Sequence, residues 1–524
     1  MWYSTPQMGK INLKRRGICM KLARRLLSVL LALLMVFALV ACGGTGDTPS
    51  DDPGKDPGKD PGASTGNNDV IIKPTDEFEP PERPVDETAG KNYIIIQHSE
   101  IENPFGYSQD SNMGLQVSDR VNEVCETYGC TIEFSMSAYD TNFASRLQAA
   151  MFAENSGDMV FAYKNAMLRK ALGTGGSTSL MQDLLQVDHI INFWDANKWG
   201  TLTARESMMA GGTFYGVSPA LWVDCTPLPY YQVVYNKDII ELTGVTDPQE
   251  YWENEEWDRE AMLDVITETT DEASGIWGMT ASMEHMVMAT FLTAGKPFVV
   301  LEKVNSDGTA EWSRGLEDGD VLDALQWLKN SLNANTKCFN NGTGTWTTWD
   351  AHTPFNEGLC AMAVTRPIDV FGYVVVEGPS NFGIATWAGD EANTLTGFYE
   401  QVYSVAIPLF AQNIEHSAFL MYDLFEGLGD IQTYDDVLAY YGDTYFNTEL
   451  DLTCMVREGA VLQYSYWPNE ATTAISNISS NLLTAGSITT LVGKYAPAND
   501  AAVEEHILPN QVALYGWQQA GYFD

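Results

Sequence analysis

Six histidines, six cysteines beyond residue 42 and 70 carboxylates are the groups in this 524-residue chain that could do chemistry. Their spacing argues against most of it. His98, His189, His285, His352, His416 and His506 form no His-Glu-x-x-His pattern and no paired metal-ligand spacing. Gly175-Gly176-Ser177-Thr178-Ser179 lacks the closing glycine of a nucleophile elbow. Gly295-Lys296 is followed by Pro297, and no glycine stands five residues before Gly295, so a phosphate-cradling loop is excluded. Glycoside cleavage needs only two carboxylates, but among 70 acids abundance singles out no pair. No catalytic residue, cofactor or metal is indicated, and binding is the stronger reading. Cys125 and Cys130 bracket a helix end at Tyr128-Gly129, where a disulfide is sterically allowed. The alternative is a pair of inert buried thiols, because a chain this large does not depend on disulfides.

Cys42 has a positional meaning the others lack. Residues 1–41 hold seven basic residues (Lys10, Lys14, Arg15, Arg16, Lys21, Arg24, Arg25), no acid, and then the apolar run Leu26 to Ala41. That is the layout of a secretory signal peptide, and at about 16 residues the run falls short of the ~20 that span a membrane. It ends in Leu39-Val40-Ala41-Cys42 followed by Gly43-Gly44, the pattern of a lipoprotein signal. Cleavage before Cys42 and acylation there, palmitate being a typical chain, would hold the protein on the outer face of the cell membrane. Stable anchoring needs more than one acyl chain. Met20 opens a conventional leader by itself, so residues 1–19 read as a misplaced start. Residues 43–90 carry eight Pro, eight Gly and twelve acids against four basic residues, with Phe78 the only aromatic. Such a segment buries no core. As a flexible tether of 48 residues it would reach on the order of 40 Å.

Seven of the 29 Lys and Arg lie in the leader and none of the 70 Asp and Glu do, so the mature chain keeps 22 against 70, a formal net charge of −48. Nucleic acid is excluded as a partner. The charge leaves a cationic solute as one alternative ligand, while 14 Trp and 24 Tyr fit both sugar stacking and ordinary cores.

The elements that must position any site follow from residue 91 onward, a body too large for one core. Tyr93 to Gln97 reads as a strand, and Val117, Val121 and Val124 recur at helical spacing until Gly129 stops the helix. Thr131 to Met136 is a second strand. Phe143, Leu147, Ala150 and Met151 mark a second helix, and Asp158 to Phe161 a third strand. Strands alternating with helices imply parallel pairing, and ligands of such sheets sit beyond the carboxyl ends of the strands. His98 to Glu100 and Tyr163 to Asn165 therefore border a potential cleft. Further on, Phe298 to Leu301 and Ala310 to Trp312 flank the turn Asn305-Ser306-Asp307-Gly308, a hairpin signal. A helix follows with Val321, Leu325, Leu328 and Leu332 on one face. Glu357 to Val364 delivers a buried strand to Arg366-Pro367, and Gln401 to Pro408 a strand that leads to a helix after Asn413.

Several segments, in this order and spacing, resemble the family 1 extracellular solute-binding proteins, the substrate-capturing lipoproteins of ABC importers. They are Gly157-Asp158-Met159-Val160, Leu180-Met181-Gln182-Asp183-Leu184-Leu185, Thr213-Phe214-Tyr215-Gly216-Val217, and Val234-Tyr235-Asn236-Lys237-Asp238-Ile239-Ile240 with Gly244 and Asp247-Pro248. Phe355-Asn356-Glu357-Gly358 with Ala361-Met362, and Ser404-Val405-Ala406-Ile407-Pro408, complete the likeness over about residues 91–425. The resemblance implies an α/β, two-lobed, periplasmic-binding-protein-like fold of type II with the ligand cleft between the lobes. It places one lobe at 91–228 plus about 405–435, the other at about 236–396 plus 436–524, and hinge crossovers at 229–235 and 397–404. It implies a monomer that captures an oligosaccharide and delivers it to permease subunits; the alternatives are a surface glycan adhesin or a carbohydrate-active enzyme.

Carried over one position at a time, the resemblance puts Glu100, Tyr163 and Asn165 in first-lobe loops that reach the ligand. Trp222, Tyr230 and Tyr231 fall before or within the first crossover, one lining the cleft and the others packing the hinge. Ser282, Glu284 and His285 fall where the second lobe presents ligand contacts, His285 being alternatively a satisfied surface histidine. Arg366 stands near the position where many sugar-binding relatives place an aromatic platform, a departure that puts stacking there in doubt and suggests instead a guanidinium fork onto a carboxylate or vicinal hydroxyls, or an ion pair with one of the many nearby acids. Trp387, Tyr399 and Glu400 flank the second crossover. Trp346 and Trp349, in a Gly/Thr-rich loop, are candidates for exposed aromatics.

Overall fold

The computed structural model describes residues 78–522 apart from 99–102, 109–110, 138–148, 150–156, 164–180, 224, 227, 229–230, 297–298, 341–351, 367–369, 371–373, 396–402, 447 and 457–468. The leader, Cys42, the tether up to residue 77, the second helix expected around 143–151, and Trp346 and Trp349 lie outside the described residues.

The first lobe grows from β1 (Asn92–His98), α1 (Asn112–Tyr128), β2 (Thr131–Ser137) and β3 (Met159–Tyr163). The Ser111 hydroxyl caps α1 by accepting the Gly114 N–H at 2.9 Å, and Val117, Val121, Val124 and Tyr128 form its buried face. Gly129 ends it at φ +60°, a conformation that glycine adopts without strain. β1 pairs in parallel with both β2 and β3. A later strand, β13 (Tyr403–Ala406), closes the sheet by running antiparallel to β3, giving the order β13-β3-β1-β2. The small hairpin of β4 (Met209–Ala210) and β5 (Thr213–Phe214) flanks this lobe.

The second lobe is built on β6 (Gln232–Asn236), β7 (Trp277–Thr280), β10 (Phe339–Asn340), β11 (Cys360–Thr365) and β12 (Phe382–Thr386), in the order β10-β7-β11-β6-β12. β7, β10 and β11 are parallel, and β6 runs against both its neighbours. Between these strands stand α2 (Met283–Thr293), the expected hairpin of β8 (Val299–Val304) and β9 (Ala310–Arg314), and α3 (Gly319–Ala334), whose Val321, Leu325, Leu328 and Leu332 are all buried. After β13 comes α4 (Ile414–Leu424), capped by Asn413.

Two boundaries differ from expectation. The tether ends by Phe78, not at residue 90: Phe78 packs on Tyr422 with ring centroids 5.8 Å apart, Arg83 forks onto Asp423 at 2.7 and 3.1 Å, and buried Thr88 donates to the Tyr128 carbonyl at 2.8 Å. Specific side-chain partners, invisible in a Pro-rich composition, order this stretch. Nor does 436–524 belong wholly to the second lobe. α5 (Tyr434–Tyr445) packs Val437 and Tyr441 into the first-lobe core, and the Tyr441 hydroxyl donates to the Val223 carbonyl. α6 (Glu449–Val456) lies along β12, where Asp451 accepts the Ile384 N–H at 2.7 Å. α7 (Asn469–Asn481) and α8 (Ile488–Tyr495) bury Ile475, Ile478, Leu491 and Val492 in the second-lobe core. α9 (Leu508–Gln519) returns to the first lobe, where Trp517 and the following Tyr522 pack on Trp194. Apolar faces on successive helices find partners in opposite lobes, and the tail follows them.

Cys125 and Cys130 carry free thiols. Burial pushes the Cys130 thiol up to about 11 and raises that of Cys125, which favours the protonated form of each. Among the described residues no helix is long and apolar enough to cross a membrane.

Candidate functional site

The carboxyl ends of β7, β11 and β12 and the amino end of β6 meet along one edge of the second sheet. Register fixes this: Ala363 is opposite Thr280, and Gln232 is opposite both Thr365 and Thr386. The chain enters β6 from the first lobe and leaves β12 towards β13, so this edge lies where the lobes are joined.

Each strand delivers a polar or aromatic residue to that edge. Tyr231, just before β6, is buried and adopts φ +66°, a left-handed conformation costly for a bulky side chain and kept where function or packing over-determines it. Its ring lies 5.2 Å from that of His285, inclined by 54°. β7 runs into Ser282, whose hydroxyl accepts the His285 N–H at 3.0 Å and caps α2, holding the imidazole in the first helical turn. Glu284 stands half-buried in that turn. β11 ends at Arg366, 9% exposed, and β12 at Trp387, 1% exposed, with the indole N–H unpartnered.

Tyr231, Ser282, Glu284, His285, Arg366 and Trp387 thus gather along one edge. Glu100, Asn165, Tyr230, Tyr399 and Glu400 lie outside the described residues, and Tyr163 is described by its backbone alone, ending β3 opposite Tyr403. Of the residues around the first crossover, Trp222 takes the packing role: it is wholly buried in the first-lobe core, its rings packed on Phe105 and Phe425 and its N–H donated to the Glu426 carbonyl at 3.0 Å. His285 is buried, not a surface histidine.

Sequence reasoning passed over Gln232 and Thr365. Neither amide atom of fully buried Gln232 has a hydrogen-bond partner, nor does the Thr365 hydroxyl. Each such orphan costs about 1–3 kcal/mol. The available signal was a glutamine within Tyr230-Tyr231-Gln232-Val233-Val234-Tyr235, a stretch that otherwise reads as a core strand. Among the described residues no group of three His, Cys, Asp or Glu could hold a metal ion.

Two mixed sheets joined by crossing chain, with polar groups gathered at their junction, define a two-lobed periplasmic-binding-protein-like fold, as expected. By structure the chain is similar to an ABC substrate-binding protein from Listeria monocytogenes solved with cycloalternan, at 13% identity over 79% of this chain and 99% of that one, with a TM-score of 0.53. It is similar also to a cyclic alpha-maltosyl-1,6-maltose binding protein from Arthrobacter globiformis (13% identity, 81% of this chain and 99% of that one, TM-score 0.52). An extracellular solute-binding protein from Staphylococcus aureus in complex with maltose gives 13% identity over 79% and 98%, with a TM-score of 0.51. Compared by sequence, the chain matches no family profile and no curated protein.

Proposed function

We propose that this protein is an extracellular solute-binding lipoprotein, anchored through Cys42, that captures an oligosaccharide between its lobes by hinge closure and hands it to the permease of an ABC importer. The observation that carries the reading is the pair of buried side chains at the lobe junction, Gln232 and Thr365, whose polar atoms have no partner within the fold, since such groups call for a partner from outside. The fold supports it, because structures sharing it are described as sugar binders. Tyr231, Ser282, Glu284, His285, Arg366 and Trp387 are the proposed second-lobe contacts, with Glu100, Tyr163, Asn165, Tyr230, Tyr399 and Glu400 completing the site. The protein works as a monomer and turns nothing over.

The test is ligand-induced stabilisation without turnover. At 100-fold excess over Kd a ligand adds ~2.7 kcal/mol to stability, read as a rise in thermal midpoint across a panel of oligosaccharides and cationic solutes. Product release from an oligosaccharide would sink the binder reading in favour of a carbohydrate-active enzyme. The strongly acidic mature chain supports one second reading, a cationic solute in the same cleft.

A further inference from the structure

On adjacent antiparallel strands, residues directly opposite each other project from the same face. Thr365, Gln232 and Thr386 therefore form a row of three polar side chains across β11, β6 and β12. The next row on that face, two residues into each strand, is Ala363, Val234 and Ile384, which belong to an apolar cluster continuous with the first-lobe core. The polar row thus closes the end of a face that looks onto the lobe junction.

The Thr386 hydroxyl is satisfied, donating to the Thr394 carbonyl at 2.8 Å. Gln232, at zero exposure, has no partner for its amide oxygen or its amide nitrogen, and the Thr365 hydroxyl beside it has none. The indole N–H of Trp387, one residue beyond the row, is also unpartnered, but Trp387 packs with Val233, Val364 and Ala385 in the core on the other face of the sheet and is not part of the row. An aliphatic side chain would fill the Gln232 position without leaving such atoms unpaired, as Val233 and Val234 do beside it. Buried side-chain polar atoms are as a rule bonded. Single orphans occur elsewhere among the described residues, at Ser218, Thr290 and Ser417 for instance, but Gln232 and Thr365 stand opposite each other at the lobe junction, a place where something outside the chain can complete the bonding.

We propose that Gln232 and Thr365 are specificity-determining residues that read hydroxyl groups of the ligand. The proposal rests on the binder reading above and chooses between its two ligand classes. A carboxamide presents two N–H donors and an acceptor oxygen, so its complement must accept and donate at adjacent positions. Neighbouring hydroxyls of a neutral polyol do both. An ammonium group offers only donors, and a carboxylate or phosphate only acceptors, so either would leave half of the amide unpaired. The junction is therefore built for a neutral polyhydroxylated ligand even though the mature chain is strongly acidic.

The test is titration calorimetry on the detergent-solubilised mature chain, with a panel of neutral oligosaccharides that includes maltotetraose, and with spermidine as the cationic probe. Wild type is expected to bind at least one oligosaccharide and to show no saturable spermidine binding. Gln232→Leu should weaken the best oligosaccharide about 10-fold or more while the ligand-free thermal midpoint stays level or rises, because the orphaned amide is gone. Gln232→Leu binding as tightly as wild type would overturn the proposal and leave the row as core polarity around an internal water. Should Gln232→Leu fail to fold, Thr365→Val removes one hydroxyl from a near-isosteric side chain, and an unchanged affinity there has the same force. Wild type that binds spermidine and no oligosaccharide overturns the ligand class while sparing the binder reading. Wild type that binds no probe at all removes the binder reading and this proposal with it.

Discussion

At the scale of single residues, burial decides outcomes that residue type alone leaves open. Asp183 accepts the Leu185 N–H at 3.1 Å and caps a short helical turn, yet burial raises its carboxyl to about 6. The folded state therefore holds the proton more tightly than the unfolded chain does. The associated stability is fully present below about pH 4 and is lost as pH rises through about 6. Asp183→Asn cannot titrate. Its stability relative to wild type should rise between about pH 4 and about pH 6 and stay flat above about pH 7, by at most ~3 kcal/mol in all, as read by denaturant unfolding at each pH. A difference that shrinks with rising pH would contradict the assignment. Trp222 shows the limit of legibility at this scale. Its position before the first crossover was readable, but Phe105 and Phe425, which enclose it, come from distant parts of the chain, and no local pattern announces them. Trp222→Ala should lower unfolding free energy by about 3–5 kcal/mol as a core truncation does, where a cleft aromatic would lose ligand affinity and little stability.

At the scale of elements, what the sequence made legible was periodicity and punctuation. The valine spacing of α1 and its arrest at Gly129, the parallel β1-β2 and β1-β3 pairs and the β8-β9 hairpin all follow from local rules. The segments that carried the family resemblance are largely joints of the fold. Asn236 caps the helix after β6 by accepting the Asp238 and Ile239 N–H groups, and the Tyr235 hydroxyl donates to Asp247 at 2.7 Å. Asp158 accepts the Ile94 N–H at 2.9 Å and the Gln412 N–H at 3.0 Å, tying β1 to the segment before α4. Joints identify a fold without identifying its ligand, which is why the fold was readable and the Gln232 row was passed over. The tail escaped for another reason, since amphipathic helices declare an apolar face but not the lobe that will receive it. The docking of α9 supplies a direct check. Buried Asn510 accepts the Gly212 N–H at 2.8 Å and donates to the Met209 carbonyl at 3.1 Å, fastening α9 to the β4-β5 hairpin. Asn510→Ala leaves both backbone groups unpaired and should cost about 2–4 kcal/mol, measured as a fall in denaturation midpoint. An unchanged midpoint would mean that α9 is not held there.

At the scale of the whole molecule, charge and connectivity set the terms on which any ligand is met. The chain passes from the first lobe to the second before β6, returns before β13, and its tail visits the second lobe through α7 and α8 before α9 comes back to the first. Arg314 on the β8-β9 hairpin grips Asp500 on the returning tail, so that segment is fastened at both ends. The proposed function requires the two lobes to close about this junction, and the formal net charge of −41 carried by the full chain acts on both alike. Self-repulsion among so many carboxylates destabilises the compact state more than the expanded one. Raising salt from ~10 mM to ~150 mM shortens the screening length from about 30 Å to about 8 Å, so the thermal midpoint of the ligand-free protein should rise over that range. Ligand affinity over the same range separates the two ligand classes. A neutral polyol feels no long-range field, and its Kd should stay constant within error, whereas a cationic solute drawn in by the acidic surface would lose affinity steadily as salt rises. Salt-insensitive affinity together with a salt-dependent midpoint is the expected pair of results. A Kd that climbs in step with ionic strength would show that the field of the whole chain, and not the polar row at the lobe junction, selects what is bound.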